Sequence, residues 1–433
     1  MSSLAEKVFG STRDALLSTS WGPITVLAER AVLSTLSNFH AGQLRILKSD
    51  GSVLSLPAVP KTGPCAELRV VRDTFWVRLA CMGGLGFAEA YMFGDVHCAP
   101  EDLRSVFKIF LLNRSDLDAI EGRISRALSA IANYLTTKNA LGTASGKISA
   151  HYDISNRMFE GFLSSDMMYS SGLFEHLDAD LHHAQLRKIQ HILRRLKIRP
   201  GNRVLEVGTG WGSFAIIAAQ EHPTCTFDTI TLSSSQKELA EERIRRAGLD
   251  DRIHVHLLDY RALPSTWEGK FDRFVSIEMM EHVGHEYIET YFAVVHWALK
   301  QKDAVGVVQV STMPESLFPG AFLPTVTQLL AGLHEGSRAQ FIVDTIDNMG
   351  PHYPQTLREW ARRFEGCFEE VIVPELRKQS PDMCDEDIEV FRRKWLCDYY
   401  CEAGFTSRTL GNHTVTFTRE AMDSYGCNIH PPR

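Results

Sequence analysis

The chain has 433 residues, of which 44% are hydrophobic and 23% charged, as in soluble globular proteins. These proportions exclude a disordered regulator, a fibre and a small disulfide-stabilised toxin, while the length suits two domains. The 53 acidic side chains outnumber the 46 basic ones and give a net charge of −7, so the overall charge does not favour binding to nucleic acid.

Cysteine usage and hydropathy indicate an intracellular protein. The nine cysteines are an odd number and include no C-x-x-C motif, which favours reduced thiols over a disulfide framework or a metal site. The first residues, MSSLAEKVFGSTRDALL, lack the apolar core of a signal peptide. No stretch reaches the roughly 18 uncharged apolar residues of a membrane span. We therefore expect a cytoplasmic protein without bound metal, which would meet a lipid substrate peripherally at a membrane surface.

Residues 1–140 predict a small α+β domain. A strand over residues 42–46, a turn at 49–52 and a returning strand are followed by helical segments. The helices are predicted over residues 75–82, 99–113 and 117–135. Residues 136–149 are small, polar and contain glycine, which is typical of a linker.

After the linker, strands and helices alternate, which predicts an α/β domain with a mostly parallel sheet over residues 150–420 and a tail at 421–433. Strands are predicted over residues 203–207, 253–258, 271–277 and 305–310, with a further strand that ends near Thr231. Near the C-terminus, residues 406–410 and 414–418 flank the turn-like residues 411–413 and predict an antiparallel hairpin.

A glycine-rich turn after the first of these strands is the strongest local signal. Residues 204–212 read VLEVGTGWG, so Gly208, Gly210 and Gly212 follow a buried strand and precede a helix. Glycines at such a place let the backbone approach a ligand closely at a helix N-terminus. The spacing differs from the G-x-G-x-x-G of dinucleotide sites. With Glu206 two positions before the first glycine, it is similar to the nucleoside-binding loop of S-adenosylmethionine (SAM)-dependent methyltransferases. A structural turn without a ligand is the alternative.

Further motifs, in order along the chain, make the resemblance specific. They are HYDISN at 151–156, MYSSG at 168–172, TLSSSQ at 231–236, SIEMMEHVGHEY at 276–287 and YCEAGF at 400–405. Together they resemble the cyclopropane-fatty-acid synthase family, which includes mycolic acid cyclopropane synthases. The segment GGLGFAEAY at 83–91 also resembles the N-terminal domain of the longer members. The resemblance implies a class I methyltransferase (Rossmann-like) sheet, SAM as methyl donor, and attack on its methyl group by an electron-rich carbon.

By position in those motifs, the resemblance assigns a set of residues to the cofactor. They are Tyr169, Ser170, Glu206, Gly208, Gly210, Gly212, Thr231, Gln236, Asp259 and Tyr260. Backbone at the glycine turn can pass close to the cofactor, while hydroxyl and amide groups can hydrogen-bond its polar parts. The second strand departs from many methyltransferases, because it ends in Ile230-Thr231 rather than in a ribose-binding carboxylate.

The resemblance also implies a bound bicarbonate, which removes a proton after methyl transfer so that a cyclopropane ring closes. In the family this anion is held by a Glu, a Tyr, a His and a Cys-containing turn. Glu281 and Tyr353 match the first two, whereas Ser171 stands at the Cys position and Gln309 at the His position. We expect these four residues at the catalytic centre; whether the product is a ring or a methyl branch stays open.

Two neighbours in the same motif have alternative interpretations. Glu278 lies three positions before Glu281 and would share a helical face with it, as a second carboxylate near the sulfonium or as a helix cap. His282 could act as a general base near neutral pH, or it could be a buried histidine that holds the loop.

The favoured function is SAM-dependent carbon methylation of an unsaturated lipid acyl chain. The second hypothesis is C- or N-methylation of a small natural product, because plant alkaloid N-methyltransferases carry a similar S-x-E-M-x-E-H segment. The retained N-terminal domain favours the lipid. The third hypothesis is a non-catalytic relative that binds SAM or lipid. The expected partners are therefore an unsaturated lipid or a small molecule, and a homodimer is left open.

Overall fold

The computed structural model describes residues 22–118, 155–313 and 323–419. These form two compact units. Residues 22–118 and 380–409 make up the first, and residues 155–313, 323–379 and 410–419 make up the second. The predicted linker, most of the predicted helix over 117–135 and the tail lie outside the described residues.

The first unit begins with helix α1 (Gly22–Ser37) and contains a four-stranded sheet. Its strands are β1 (Gln43–Leu47), β2 (Val53–Leu56), β3 (Cys65–Val70) and β4 (Val96–His97), in the order β2-β1-β3-β4. β1 pairs antiparallel with β2 and parallel with β3, so the predicted strand, turn and returning strand are confirmed. Helices α2 (Thr74–Met92), α3 (Pro100–Leu112) and α4 (Arg114–Asp118) accompany the sheet.

The second unit is built on a seven-stranded sheet in the order β10-β11-β9-β8-β5-β6-β7. The strands are β5 (Arg203–Val207), β6 (Thr226–Thr231), β7 (Ile253–Leu257), β8 (Arg273–Ile277), β9 (Val305–Thr312), β10 (Phe341–Asn348) and β11 (Gly411–Arg419). Strands β5 to β9 are parallel, and β11 runs antiparallel between β9 and β10. The predicted α/β class with a largely parallel sheet is confirmed.

The described helices of the second unit include α5 (Asn156–Phe162), α6 (Leu181–Leu196), α7 (Ser213–Glu221), α8 (Ser234–Arg246), α9 (Ile288–Ala298), α10 (Val326–Gly336), α11 (Tyr353–Cys367) and α12 (Val373–Gln379). Successive strand residues enter apolar clusters on opposite faces of the sheet: Phe274 packs with Phe292, and Val275 with Phe214. Because both faces are covered, the carboxyl ends of the strands are the natural place for a ligand.

The segment between α12 and β11 belongs to the first unit, although the expected domain 150–420 includes it. Helix α13 (Asp385–Tyr399) packs on α2, and the short helix α14 (Glu402–Thr406) packs on α3. Arg104 of α3 forms an ion pair with Glu402, whose side chain is buried. Residues 380–409 join the first unit through long-range packing, which local sequence patterns do not reveal.

The antiparallel end of the sheet is present and the predicted strand over 414–418 is confirmed as part of β11, but the predicted strand over 406–410 and its hairpin pairing are wrong. β11 pairs with β10, while residues 406–410 contain the end of α14 and a turn. The predicted turn residues 411–413 lie inside β11, where Asn412 is opposite Ser311 of β9. Gly-Asn-His is typical of a turn, but here pairing with two distant strands overrides that local preference. Within the described residues, no helix is long and apolar enough to cross a membrane.

Candidate active site

The glycine turn predicted from the sequence follows β5 and leads into α7. Gly208, Gly210 and Gly212 have φ angles of 104°, 51° and 83°, which residues with a Cβ rarely adopt. A Cβ on Gly208 would lie 3.2 Å from the Met279 side chain, whereas a Cβ on Gly210 would meet no heavy atom within 4 Å. The turn therefore presents bare backbone to an open space.

That space is an open cleft at the carboxyl ends of β5, β6 and β8. This edge of a parallel sheet is a usual place for a small-molecule ligand. The predicted cofactor residues in its wall are Tyr169, Ser170, Glu206, Gly208, Gly210, Thr231, Gln236 and Tyr260. Two predicted residues do not line the cleft: a Cβ on Gly212 would face Ala240, and Asp259 is engaged by Arg261.

Glu206 and Asp259, the two predicted cofactor carboxylates, have different electrostatic states. Burial raises the pKa of Glu206 to about 8, and its Oε2 has no hydrogen-bond partner among the described residues. A buried acceptor without a partner fits a polar ligand such as the amino group of SAM. Asp259 accepts hydrogen bonds from the Arg261 backbone and guanidinium at 2.7–2.9 Å. Burial alone would raise its pKa, but these bonds outweigh burial and lower it.

The end of β6 carries hydroxyl and amide groups where many methyltransferases have a carboxylate. The Thr231 hydroxyl donates to Gln236 Oε1 at 2.8 Å, and both residues line the cleft. Asp228, the nearest acid on this strand, accepts hydrogen bonds from Arg203 and His256 at 2.8 and 2.9 Å and does not line the cleft. Thr231 and Gln236 are thus the polar groups that β6 and its following helix offer to a ligand.

A carboxylate that the sequence left ambiguous lies at the centre of the predicted catalytic residues. Glu278 follows β8 with a left-handed φ of 49° and lines the cleft. Its Oε1 accepts hydrogen bonds from the Ser171 backbone N–H (2.9 Å), Gln309 Nε2 (3.0 Å) and Asn412 Nδ2 (2.8 Å), and its Oε2 accepts one from the Tyr353 hydroxyl (2.7 Å). Four donors from distant parts of the chain therefore converge on one side chain.

Three of these donors are the residues that the resemblance assigns to bicarbonate. Ser171, Gln309 and Tyr353 each donate to Glu278. A second anion at this place would have to take those donors from the carboxylate, and two like charges in a buried site repel each other. The residues present do not fit an added bicarbonate.

Glu281 lies in the 3₁₀ turn Met280–His282 beside this cluster. Its Oε1 accepts the Ser311 backbone N–H at 2.6 Å, and its buried Oε2 has no hydrogen-bond partner in the described part of the chain. Asn412 connects the two carboxylates, since its Nδ2 also reaches Ser311 Oγ at 3.2 Å. Burial, followed by the negative charge of Glu278, raises the pKa of Glu281 to about 8. Burial also raises the pKa of Glu278, against the effect of its hydrogen bonds.

His282 lines the cleft, and burial lowers the pKa of its imidazole. The ring is therefore neutral near pH 7 and able to accept a proton. Its position suits either of the two interpretations derived from the sequence.

Two residues of this site were absent from the sequence-based set. Asn412 was hidden because a turn was predicted at 411–413, and Lys188 because its helix is rich in charged residues. The Lys188 ammonium is fully buried and donates to Ser170 Oγ at 2.6 Å. In both cases only the three-dimensional packing brings the side chain against a residue of the cleft wall, Ser170 for Lys188 and Glu278 for Asn412. Glu278 did carry a signal, namely a second acidic residue in S-x-E-M-x-E.

Comparison with known proteins gives a consistent result. The family model for mycolic acid cyclopropane synthetase matches residues 140–380. A tuberculostearic acid methyltransferase from Mycobacterium tuberculosis is 31% identical over 404 residues, covering 87% of this chain and 88% of that protein. A cyclopropane-fatty-acyl-phospholipid synthase from Escherichia coli is 30% identical over 369 residues, covering 82% of this chain and 88% of that protein.

A solved structure is similar as well. A mycolic acid cyclopropane synthase, crystallised with S-adenosylhomocysteine (SAH) and CTAB, is 26% identical with a TM-score of 0.53, covering 63% of this chain and 97% of that chain. The two sequence relatives match 87% and 82% of this chain, which is more than residues 140–433 make up. Their similarity therefore extends into the residues before 140.

Proposed function

We propose that this chain, which belongs to the mycolic acid cyclopropane synthetase family of SAM-dependent methyltransferases, methylates a carbon of an unsaturated lipid acyl chain. The base in this proposal is its own Glu278 carboxylate rather than bicarbonate. The observation that carries this proposal is the Glu278 carboxylate in the cleft wall with four hydrogen-bond donors around it. The lipid assignment is supported by the names of both sequence relatives, which refer to fatty acids or phospholipids.

The cleft has groups that suit the cofactor. When bound, SAM supplies an electrophilic methyl group on a positively charged sulfur. Backbone at Gly208 and Gly210 can lie against it without side-chain interference. The Oε2 atom of Glu206 lacks a hydrogen-bond partner among the described residues. Thr231, at the end of the neighbouring strand β6, and Gln236, in helix α8, add polar groups. These residues would bind and orient the polar parts of the cofactor.

The chemistry then requires one proton acceptor. The alkene electron pair forms the new carbon–carbon bond, the sulfur–carbon pair stays with sulfur as SAH forms, and the neighbouring chain carbon becomes positive. Glu278 takes a proton, and the released C–H electron pair either closes a ring through the new methyl or forms a new double bond. A base with a raised pKa is suited to this step at neutral pH.

Oε2 is the basic atom of Glu278. Oε1 already accepts three hydrogen bonds, whereas Oε2 accepts one, from Tyr353. Burial raises the pKa of Tyr353 well above its usual value, so this phenol remains a donor and does not compete as a base. One lone pair of Oε2 is thus left for the proton.

The test is incubation of the full chain with methyl-labelled SAM and phospholipid vesicles that carry cis-monounsaturated chains. We expect label in the acyl fraction and no loss of rate in bicarbonate-depleted buffer. Proton NMR of the product separates a cyclopropane, with its upfield ring protons, from a methyl-branched alkene. Bicarbonate-dependent turnover would contradict the role of Glu278. Label on the nitrogen of a small molecule, with no labelled acyl product from the unsaturated lipids, would contradict the lipid assignment.

A further inference from the structure

Helix α6 buries two polar side chains against the turn that carries Ser170 and Ser171. Gln185 and Lys188 are fully buried and lie one helical turn apart. Gln185 Nε2 donates to the Ser170 carbonyl at 2.7 Å, and Lys188 Nζ donates to Ser170 Oγ at 2.6 Å. The next backbone N–H, that of Ser171, is a donor to Glu278. The turn therefore lies between a buried ammonium and the proposed base.

A buried lysine is costly unless its charge is compensated. Among the described residues, no carboxylate lies within salt-bridge distance of Lys188, and its acceptor is a neutral hydroxyl. The carboxylates that act on it from further away are Glu278, Asp166 and Glu206. Asp166 is occupied locally, since it accepts a hydrogen bond from His182 at 2.7 Å. Glu206, in the part of the cleft predicted to bind the cofactor, and Glu278, at the predicted catalytic residues, both have Lys188 as the cation that acts on them.

We propose that Lys188 is a positioning residue that keeps Glu278 ionised, through its positive charge and through the Ser170-Ser171 turn that it holds. This inference rests on the proposed function, because it matters only if Glu278 is the base. The groups that face Glu278 are the donors Ser171, Gln309, Asn412 and Tyr353 and the acid Glu281. Of these, Glu281 is protonated at neutral pH because its pKa is raised to about 8, so Lys188 is the cation that acts on the Glu278 carboxylate.

Burial raises the pKa of Glu278, and the positive charge of Lys188 opposes that rise. Burial lowers the pKa of Lys188 itself to about 8. The ammonium form therefore persists at neutral pH, where the base must be unprotonated. Because Glu278 and Glu281 interact, the apparent pKa of the acid limb in the pH–rate profile is a property of the pair and not of Glu278 alone.

The experiment compares Lys188→Met and Gln185→Leu with the wild-type chain in the vesicle assay from pH 6 to 9. Lys188→Met removes the charge, and we expect the acid limb of kcat to move upward by about one pH unit or more, with activity recovered at high pH. Gln185→Leu removes a hydrogen bond to the same turn without a change of charge. It should therefore lower kcat by the same factor at every pH and leave the position of the acid limb unchanged. Thermal melting and SAM titration show whether each variant is folded and binds cofactor.

The outcomes separate the two proposals. If Glu278→Gln retains wild-type turnover, the proposed function is wrong in its choice of base. If Glu278→Gln is inactive while Lys188→Met leaves the acid limb in place, only the role of Lys188 is overturned. Should Lys188→Met not fold, Lys188→Arg, which keeps the charge, must retain the wild-type acid limb, and a displaced limb in that variant contradicts the inference.

Discussion

Asn412 and Glu278 are 134 positions apart in the sequence, and the amide of Asn412 donates to Oε1 of Glu278 at 2.8 Å. The contact exists because β11 runs antiparallel to β9 and places Asn412 opposite Ser311. The same amide also reaches Ser311 Oγ, while the Ser311 backbone binds Glu281. The last strand of the sheet therefore helps to fix both acidic side chains of the candidate site.

Replacement of the proposed base should remove turnover and leave cofactor binding intact. Glu278→Gln keeps the shape of the side chain but cannot accept a proton at neutral pH. We expect kcat to fall by about a hundredfold or more, the range for loss of general-base catalysis, with SAM affinity within about threefold of wild type. Turnover of labelled SAM and a calorimetric SAM titration measure the two quantities. A large loss of SAM affinity would instead assign Glu278 to cofactor binding.

Glu278→Gly should convert the site to dependence on an added anion. The backbone at position 278 has a φ of 49°, which glycine adopts without strain. Removal of the side chain leaves the Ser171, Gln309, Asn412 and Tyr353 donors without their acceptor. We expect added bicarbonate or formate to raise the turnover of this variant at least about tenfold, because the anion replaces the missing base. Chloride at equal ionic strength is the control, and an equal effect of chloride would exclude rescue by a base.

Much of the second unit could be predicted from its sequence, because its signals are local. Strand β5 has the predicted bounds, and the glycine turn after it lies at the cleft. Family resemblance also brought Ser171, Gln309 and Tyr353 into one set, and the structure places all three around one carboxylate. The sequence did not show that this carboxylate is Glu278. Its three-residue spacing from Glu281 suggests a shared helical face, but the backbone at Glu278 is left-handed, so the two side chains do not share one.

Features that depend on distant partners could not be predicted. Asn412 lies in a segment whose composition favours a turn, and its true conformation is set by β9 and β10. Lys188 looks like one more cation on a charged helix, yet it is fully buried because the Ser170 turn packs on that face. Side-chain burial of this kind is a tertiary property, and no local pattern encodes it.

A side chain at Gly210 should block the cofactor. A Cβ there would point into open space of the cleft wall, so Gly210→Val fills volume that the cofactor needs. We expect SAM affinity to fall at least about tenfold, since overpacking costs about 1–3 kcal/mol. Gly269→Val is the matched control, because Gly269 also has a positive φ (59° against 51°) and open space around its Cβ, but lies outside the cleft. Equal SAM affinity in the two variants would remove Gly210 from the cofactor site.

The stability of the protein should fall as the pH rises, in part because of Glu281. Burial and the charge of Glu278 raise the pKa of Glu281 to about 8 in the folded chain, against about 4.3 for an unperturbed glutamate. Between these values the folded protein holds a proton that the unfolded chain has released. The free energy of unfolding therefore decreases with pH, and this contribution is lost progressively from about pH 5 to pH 8.

Glu281→Gln removes that titration and should flatten the decline. Relative to wild type, the variant should gain up to about 1.4 kcal/mol of stability per pH unit within this window. Urea unfolding at pH 5.5, 6.5 and 7.5 measures the difference. Glu286→Gln, which changes an exposed carboxylate in the next 3₁₀ turn, controls for the loss of one negative charge. Parallel stability curves for Glu281→Gln and wild type would mean that Glu281 is ionised in the folded protein, and the site would then hold two negative charges beside Lys188.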